Sequence, residues 1–196
     1  MYYQRYELLT GIDEAGRGPL AGPLVVAGVT VNKGFELPGL NDSKQLSDKK
    51  RRELYTEIMA SVLSSEIVII SEQEIDELNI LAATMQGMTT VWQKLNIKGM
   101  ILIDGNRLPE KLKHTEAEAV VKGDGRISAI AAASILAKVT RDNIMLELDK
   151  IYPEYGFARN KGYGTAEHLR IIGRLGITPC HRKSYRPVSQ IAINFE

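Results

Sequence analysis

Short apolar runs and helical stripes alternate along this chain of 196 residues. Tyr6 to Asp13 and Pro23 to Val31 are apolar and β-rich, which predicts two strands, and "NKG" after the second predicts a turn. Ser47 is placed to cap a helix whose stripe is Leu54, Tyr55, Ile58, Met59, Val62 and Leu63. "EIVIIS" predicts a buried strand, and Ser71 with Glu74 forms a capping box for a short helix. Leu81, Met85, Met88, Trp92 and Leu95 mark another helix face, and Met and Trp at that spacing usually pack a core. "GMILIDG" predicts a strand ending in an acid, and "TEAEAVV" a fifth strand just before "KGDG". Ile127 to Tyr152 predicts one long helix, nearly all apolar in its first half and so buried. Thr165 caps a last helix that stops at Gly176. Strands and helices intermingle without strict alternation. That order predicts an α/β fold, a mixed sheet with helices on both faces.

Composition narrows the class. The chain is 44% hydrophobic and 25% charged, ordinary for a globular protein with a sizeable core. Lys and Arg number 25 against 24 Asp and Glu, so total charge indicates neither a nucleic acid nor a membrane surface. The distribution says more. Gly156 to Glu196 holds seven basic residues against Glu167 and Glu196, while Ser65 to Ile80 holds five acids and no base. A basic C-terminal quarter either meets an anion or is a solvated face. Cys180 is the single cysteine, which excludes an internal disulfide and a multi-cysteine zinc site. The N-terminus lacks a signal-peptide pattern, and no apolar run nears the ~18 residues of a membrane span. The sequence reads as a soluble cytoplasmic monomer.

The chemistry lies at strand ends. Asp13 and Glu14 close the first predicted strand, Asp104 the fourth, and Asp124 follows the fifth between Gly123 and Gly125. One such acid is a turn residue. Several beside glycines suggest a cluster at one sheet edge. Clustered carboxylates repel, and a hard divalent cation relieves that repulsion. Mg²⁺ takes one or two carboxylates plus substrate phosphate. Two such ions ~3.5–4 Å apart clamp in-line phosphoryl chemistry. His114, His168 and His181 are scattered and offer no competing zinc pattern. Adjacent strand residues face opposite ways, so Asp13 is the surer ligand. Glu14 acts either by its side chain across a bend, or by its carbonyl with the carboxylate used elsewhere.

Gly16, Gly18 and Ala21 formally match a dinucleotide-binding fingerprint. Pro19 and Pro23 stand where the pyrophosphate-binding helix should run, and "PLVVAGVTV" reads as a strand instead. The glycines allow close approach of backbone to a ligand, and Arg17 adds a charge suited to phosphate.

Taken together, "GIDEAGRGPLAGPLVVA", "LNDSKQLS", "DGN", "VVKGD", "AAASILAKVTRD", "NKGYGT" and "HRKSYRP" resemble the ribonuclease HII family over nearly the whole chain. The resemblance implies a ribonuclease H-like mixed β-sheet flanked by helices in a single catalytic domain over 1–196. The core would span 1–152, with a small helical C-terminal extension at 153–196 lining the cleft. It implies hydrolysis of the RNA strand of RNA–DNA hybrids, and cutting 5′ of ribonucleotides embedded in duplex DNA. The products would carry 5′-phosphate and 3′-hydroxyl ends. The acidic quartet maps onto Asp13, Glu14, Asp104 and Asp124, holding two Mg²⁺ or Mn²⁺ ions. Asp142 also looks family-like, but it lies four residues after Lys138 in the long helix, where a Lys–Asp pair explains it.

The resemblance further implies that the Gly16-Arg17-Gly18 backbone contacts the ribose 2′-hydroxyl, and that Tyr163 stacks on the deoxyribose beyond the junction. Lys44, Lys122, Arg182 and Lys183 are candidate phosphate contacts. Ser134, Lys138 and Arg141 share one helix face, a polar stripe turned to the nucleic acid. The rival functions are another metal-dependent nuclease or resolvase of the same broad fold, or a non-catalytic hybrid-binding module.

Overall fold

A computed structural model describes residues 5–40 and 46–192, with side chains to 190. The strands are β1 (Leu8–Ala15), β2 (Leu24–Asn32), β3 (Ser64–Ile70), β4 (Met100–Asp104) and β5 (Ala117–Val120). They form one sheet in the order β3-β2-β1-β4-β5. β1–β2 and β2–β3 pair antiparallel, while β1–β4 and β4–β5 pair parallel. The sheet is therefore mixed, as the pattern predicts.

The helices are α1 (Asp48–Ser61), α2 (Glu72–Leu78), α3 (Ile80–Lys94), α4 (Ser128–Ile151), α5 (Phe157–Asn160), α6 (Ala166–Leu175) and α7 (Val188–Ala192). Their caps are those the sequence marks. Ser47 Oγ accepts from Lys50 N, Thr165 Oγ1 accepts from His168 N, and Ser71 with Glu74 completes the capping box. Gly176 ends α6. The α1 stripe is narrower than predicted. Leu54 and Ile58 are fully buried, whereas Met59 and Leu63 are exposed.

Two cores sandwich the sheet. On one face α4 and α1 pack on Val25, Ala27, Val29 and Val31. On the other, Ile75, Met88 and Val91 of α2 and α3 pack on Ile12, Leu24 and Val26. The alternation of β1 and β2 residues between the two cores is the period-2 pattern of strands covered on both faces. A third, smaller core holds the C-terminal extension and includes Leu20, Ala21, Met145, Phe157 and Ile172. Leu20 and Ala21 come from the loop between β1 and β2, so the extension is built onto that loop.

β1 runs two residues past its predicted end. β2 keeps pairing through Glu14↔Val26 and Ala15↔Val25, so both acids lie inside a regular strand. No helix of the described residues is long and apolar enough to cross a membrane.

Candidate active site

The parallel strands β1, β4 and β5 deliver their C-terminal ends to one edge of the sheet. Ile12 pairs with Ile103, which sets Asp13 level with Asp104 on the neighbouring strand. Asp13, Glu14, Asp104, Gly16, Arg17, Gly18, Ser134, Lys138, Arg141 and Tyr163 line one cavity of about 300 Å³. Ligand sites of parallel sheets lie at this end of the strands.

Asp13 is 5% exposed and faces α4, where the Ser134 hydroxyl hydrogen-bonds it. Its Oδ1 accepts from the Glu14 N–H at 2.7 Å. Burial, then the Glu14 and Asp104 charges, hold Asp13 well above the usual carboxylate range. Glu14 points to the other face, as the strand period requires, and lines an adjoining cavity with Thr84, Met85 and Met88 of α3. Its Oε1 takes a 3.4 Å ion pair from Arg17. Glu14, Arg17 and Asp104 line both cavities, so the two sides of the sheet meet at these residues.

Asp124 is buried in a single helical turn, Gly123–Gly125, after β5. The Gly123 N–H donates to Asp104 Oδ1 at 2.7 Å, which ties this turn to the β4 acid. Asp124 Oδ1 accepts from Gly125 N at 3.0 Å, and Asp124 does not line the Asp13–Asp104 cavity. Among the described residues no three His, Cys, Asp or Glu side chains converge closely enough to hold a metal on their own. The donor set is all oxygen, with a buried, charge-crowded Asp13 at its centre. That suits a hard cation completed by water and phosphate.

The loop from Gly16 to Pro23 is held from behind by two buried guanidinium groups. Arg182, fully buried, donates Nε and Nη2 to Gly22 O, Nη2 to Gly16 O, and Nη1 to Arg17 O and the Tyr185 hydroxyl. Arg141 donates to the carbonyls of Pro23, Ala21 and Lys161. Burial, then the Arg182 charge, pulls Arg141 down to about 10, so it stays cationic at neutral pH. Gly16, at φ +104°, has no room for a side chain: a Cβ there would stand 2.2 Å from Arg141 Nε.

These contacts revise the basic candidates. Arg182 is fully buried, and its donors are spent on loop carbonyls and the Tyr185 hydroxyl rather than turned to the cavity. Arg141 also lines the cavity, but it is 1% exposed and donates to the carbonyls of Pro23, Ala21 and Lys161, so it supports the loop beside Ser134 and Lys138. Lys138 pairs with the buried Asp142 at 2.6 Å, the Lys–Asp pair of the helix spacing. Lys183 lies against α2, where Asp76 accepts its backbone N–H, and it does not line the carboxylate cavity. Lys122 stands at φ 55°, exposed, just before the Asp124 turn, and does not line the cavity either. Lys44 lies outside the described residues. Tyr163 is half exposed at the cavity wall, and a Cβ on Gly18 would meet its ring at 3.6 Å. Asn106, the last residue of the "DGN" motif, and Arg107, not singled out in the sequence, line the adjoining cavity with Glu14, Arg17 and Asp104. Their signal was an arginine in the turn that follows an acid-ended strand.

A ribonuclease HII family model matches residues 10–188. The chain belongs to the ribonuclease HII family. It is 52% identical to the ribonuclease HII of Francisella tularensis subsp. tularensis strain WY96-3418, over 95% of this chain and 99% of the relative. The crystal structure of ribonuclease H2 from Pyrococcus horikoshii OT3 superposes with a TM-score of 0.82 at 26% identity, covering 96% of this chain and 98% of that one. RNase HII in its complex with PCNA from Archaeoglobus fulgidus matches with a TM-score of 0.74 at 29% identity, over 91% and 95% of the two chains. As a member of this family the chain is an endoribonuclease that cleaves the RNA of RNA–DNA hybrids.

Proposed function

We propose that this enzyme also cuts 5′ of single ribonucleotides in duplex DNA, using divalent cations held by the strand-end acids. The observation that carries this is the shared cavity, lined by Asp13 and Asp104, by Gly16, Arg17 and Gly18, and by Tyr163. Strand-end carboxylates and a glycine-flanked turn line the same space.

Asp13 and Asp104 would hold Mg²⁺ or Mn²⁺, with Glu14 and Asp124 completing the set for two ions. Bound ions would supply a water of lowered pKa for in-line attack and stabilise the departing 3′ oxygen. The chain's own residues do the rest. Ser134 orients Asp13 by its hydrogen bond. The loop backbone donates to the ribose 2′-hydroxyl, the group that separates RNA from DNA. Its N–H groups would be left unpaired by a deoxyribose, against which such a site discriminates in kcat/KM by on the order of 10⁴-fold. Lys138 and Arg17 bring positive charge to the cavity wall. Tyr163 offers an exposed ring to the sugar beyond the junction. Hydrolysis across the P–O3′ bond gives 3′-hydroxyl and 5′-phosphate ends.

The test compares a duplex carrying one ribonucleotide with its all-DNA counterpart, in Mg²⁺ and in Mn²⁺. Cleavage of the first alone, with a single 5′ cut, is expected. Equal cleavage of both duplexes would sink the proposal and favour a resolvase-like nuclease.

A further inference from the structure

Arg182 spends all five of its N–H donors inside the protein. Two of its acceptors, the carbonyls of Gly16 and Arg17, belong to the peptides that link Gly16 to Arg17 and Arg17 to Gly18. Both peptides are trans. In a planar trans peptide the N–H points away from the C=O. A guanidinium that draws these two carbonyls inward therefore turns the Arg17 and Gly18 N–H groups outward, toward the cavity those residues line. The Tyr185 hydroxyl reinforces the arrangement: it donates to Arg17 O at 2.7 Å and accepts from Arg182 Nη1 at 3.1 Å.

We propose that Arg182 is a positioning residue for ribose selection. From behind the loop it fixes the orientation of the two backbone donors that meet the 2′-hydroxyl. The proposal rests on the loop being the ribose-reading element. Only arginine suits the task. Its planar fork reaches the carbonyls of Gly16, Arg17 and Gly22 at once, whereas a lysine presents three donors on one atom. Its neighbour His181 serves the Tyr163 segment, which packs on the same loop through the Leu20 N–H to the Gly162 carbonyl. His181 Nε2 meets His168 Nε2 at 3.1 Å, and His168 Nδ1 meets the carbonyl of Tyr163 at 2.9 Å. The dipeptide thus ties the ribose-facing loop and the Tyr163 segment to one frame.

The test is Arg182→Lys, which keeps the charge. Dissociation constants for a single-ribonucleotide duplex and its all-DNA counterpart are measured without divalent ions by fluorescence anisotropy. The wild-type preference for the ribonucleotide, about tenfold for one net hydrogen bond, is expected to fall to within about twofold of unity. Affinity for the all-DNA duplex should stay within about twofold. A purely structural role would lower the folded fraction for both ligands and leave the ratio intact, so a retained ratio overturns the proposal. A uniform loss of affinity for both duplexes overturns it too, as the mark of a phosphate contact. A wild-type ratio near unity would instead remove the loop reading itself, and the proposal with it. Should Arg182→Lys not fold, Tyr185→Phe removes one acceptor of Arg182 and one donor to Arg17. A roughly threefold fall in the ratio is then expected, and no change overturns the proposal.

Discussion

Gly11 of β1 lies directly against the backbone of Ala129 on α4: a Cβ built on Gly11 would stand 2.1 Å from the Ala129 carbonyl carbon. The helix thus rests on the strand at backbone contact. Small residues at Ala129, Ala132 and Ala133, buried at that end of α4, keep it there. One and a half turns further on, the same helix brings Ser134 to Asp13. Gly11→Ala must push α4 off the sheet. The expected cost is about 3 kcal/mol, the upper end for overpacking, with cleavage lowered in step as the Ser134–Asp13 contact opens. Urea unfolding checks it, and a stability within about 0.5 kcal/mol of wild type would show that the helix has slack.

The close-packed helix was legible from its alanines, and the caps at Ser47, Ser71 and Thr165 from their spacing, because these signals are local. That Asp13, Glu14 and Asp104 come to one cavity at the sheet edge was legible because strand ends, turns and acids coincide in sequence; Asp124, in its own turn, does not line that cavity. The opposite facing of Asp13 and Glu14 followed from the strand period alone. Arg182, Arg141 and Lys183 were not legible. A basic stretch is read as exposed because charged side chains seldom bury. These guanidinium groups are buried because loop carbonyls some 160 and 120 residues away in sequence satisfy them. Lys183 likewise follows its backbone, which Asp76 pins from across the fold. Only tertiary contacts carry that information.

Asp13 carries a pH signature as well as a chemical role. Its carboxyl is held above the ordinary range in the folded state, so folding favours its protonated form. The stability it contributes is fully present below the unfolded carboxylate pKa and is lost as pH rises through the raised folded value. Above the unfolded carboxylate pKa and without divalent ions, burying this carboxyl therefore opposes folding. Asp13→Asn is therefore expected to abolish cleavage, by about 10³-fold or more, while raising the unfolding midpoint in EDTA at pH 7.5 by a few degrees, for about 1 kcal/mol. Adding Mg²⁺ should raise the wild-type midpoint and leave Asp13→Asn nearly unmoved. Calorimetry with and without EDTA decides it. A variant that loses stability in EDTA would contradict the direction of the shift.

Lys183 and Lys138 separate surface charge from built contacts. Lys183 is exposed beside α2, away from the acid cavity, so Lys183→Ala should change KM on a hybrid by less than about twofold. Lys138 partners Asp142, which is almost fully buried, and also lines the cavity. Lys138→Met strands a buried carboxylate and is expected to cost about 3 kcal/mol. The double variant Lys138→Met with Asp142→Leu should recover most of that loss. Denaturation of the three proteins, with hybrid-cleavage kinetics for the Lys183 variant, tests both statements; a Lys138 variant as stable as wild type would mean that Asp142 finds another partner.

The buried histidine pair predicts how the enzyme fails in acid. The Thr178 N–H donates to His181 Nδ1, so that nitrogen carries no proton. His168 Nδ1 sits on the Tyr163 carbonyl and must be the donor there. The one neutral arrangement that satisfies every atom then puts the His181 proton on Nε2, donated to His168 Nε2. A second proton on either ring would set two N–H groups face to face. Burial, and then the nearby His168, lower His181 to about 4, and burial lowers His168 in the same direction. Unfolded histidine titrates near 6.5. Stability from His181 is thus fully present above about pH 6.5 and is lost as pH falls toward about 4, where the folded state at last takes the proton. The loss attributable to His181 is about 3 kcal/mol across that window. His181→Asn keeps an acceptor for Thr178 N and cannot titrate. It should be less stable than wild type at pH 7.5, and the gap should narrow steadily as pH drops to 5. Urea midpoints at four pH values provide the measurement, and parallel curves for the two proteins would rule the histidine pair out as the acid-labile element.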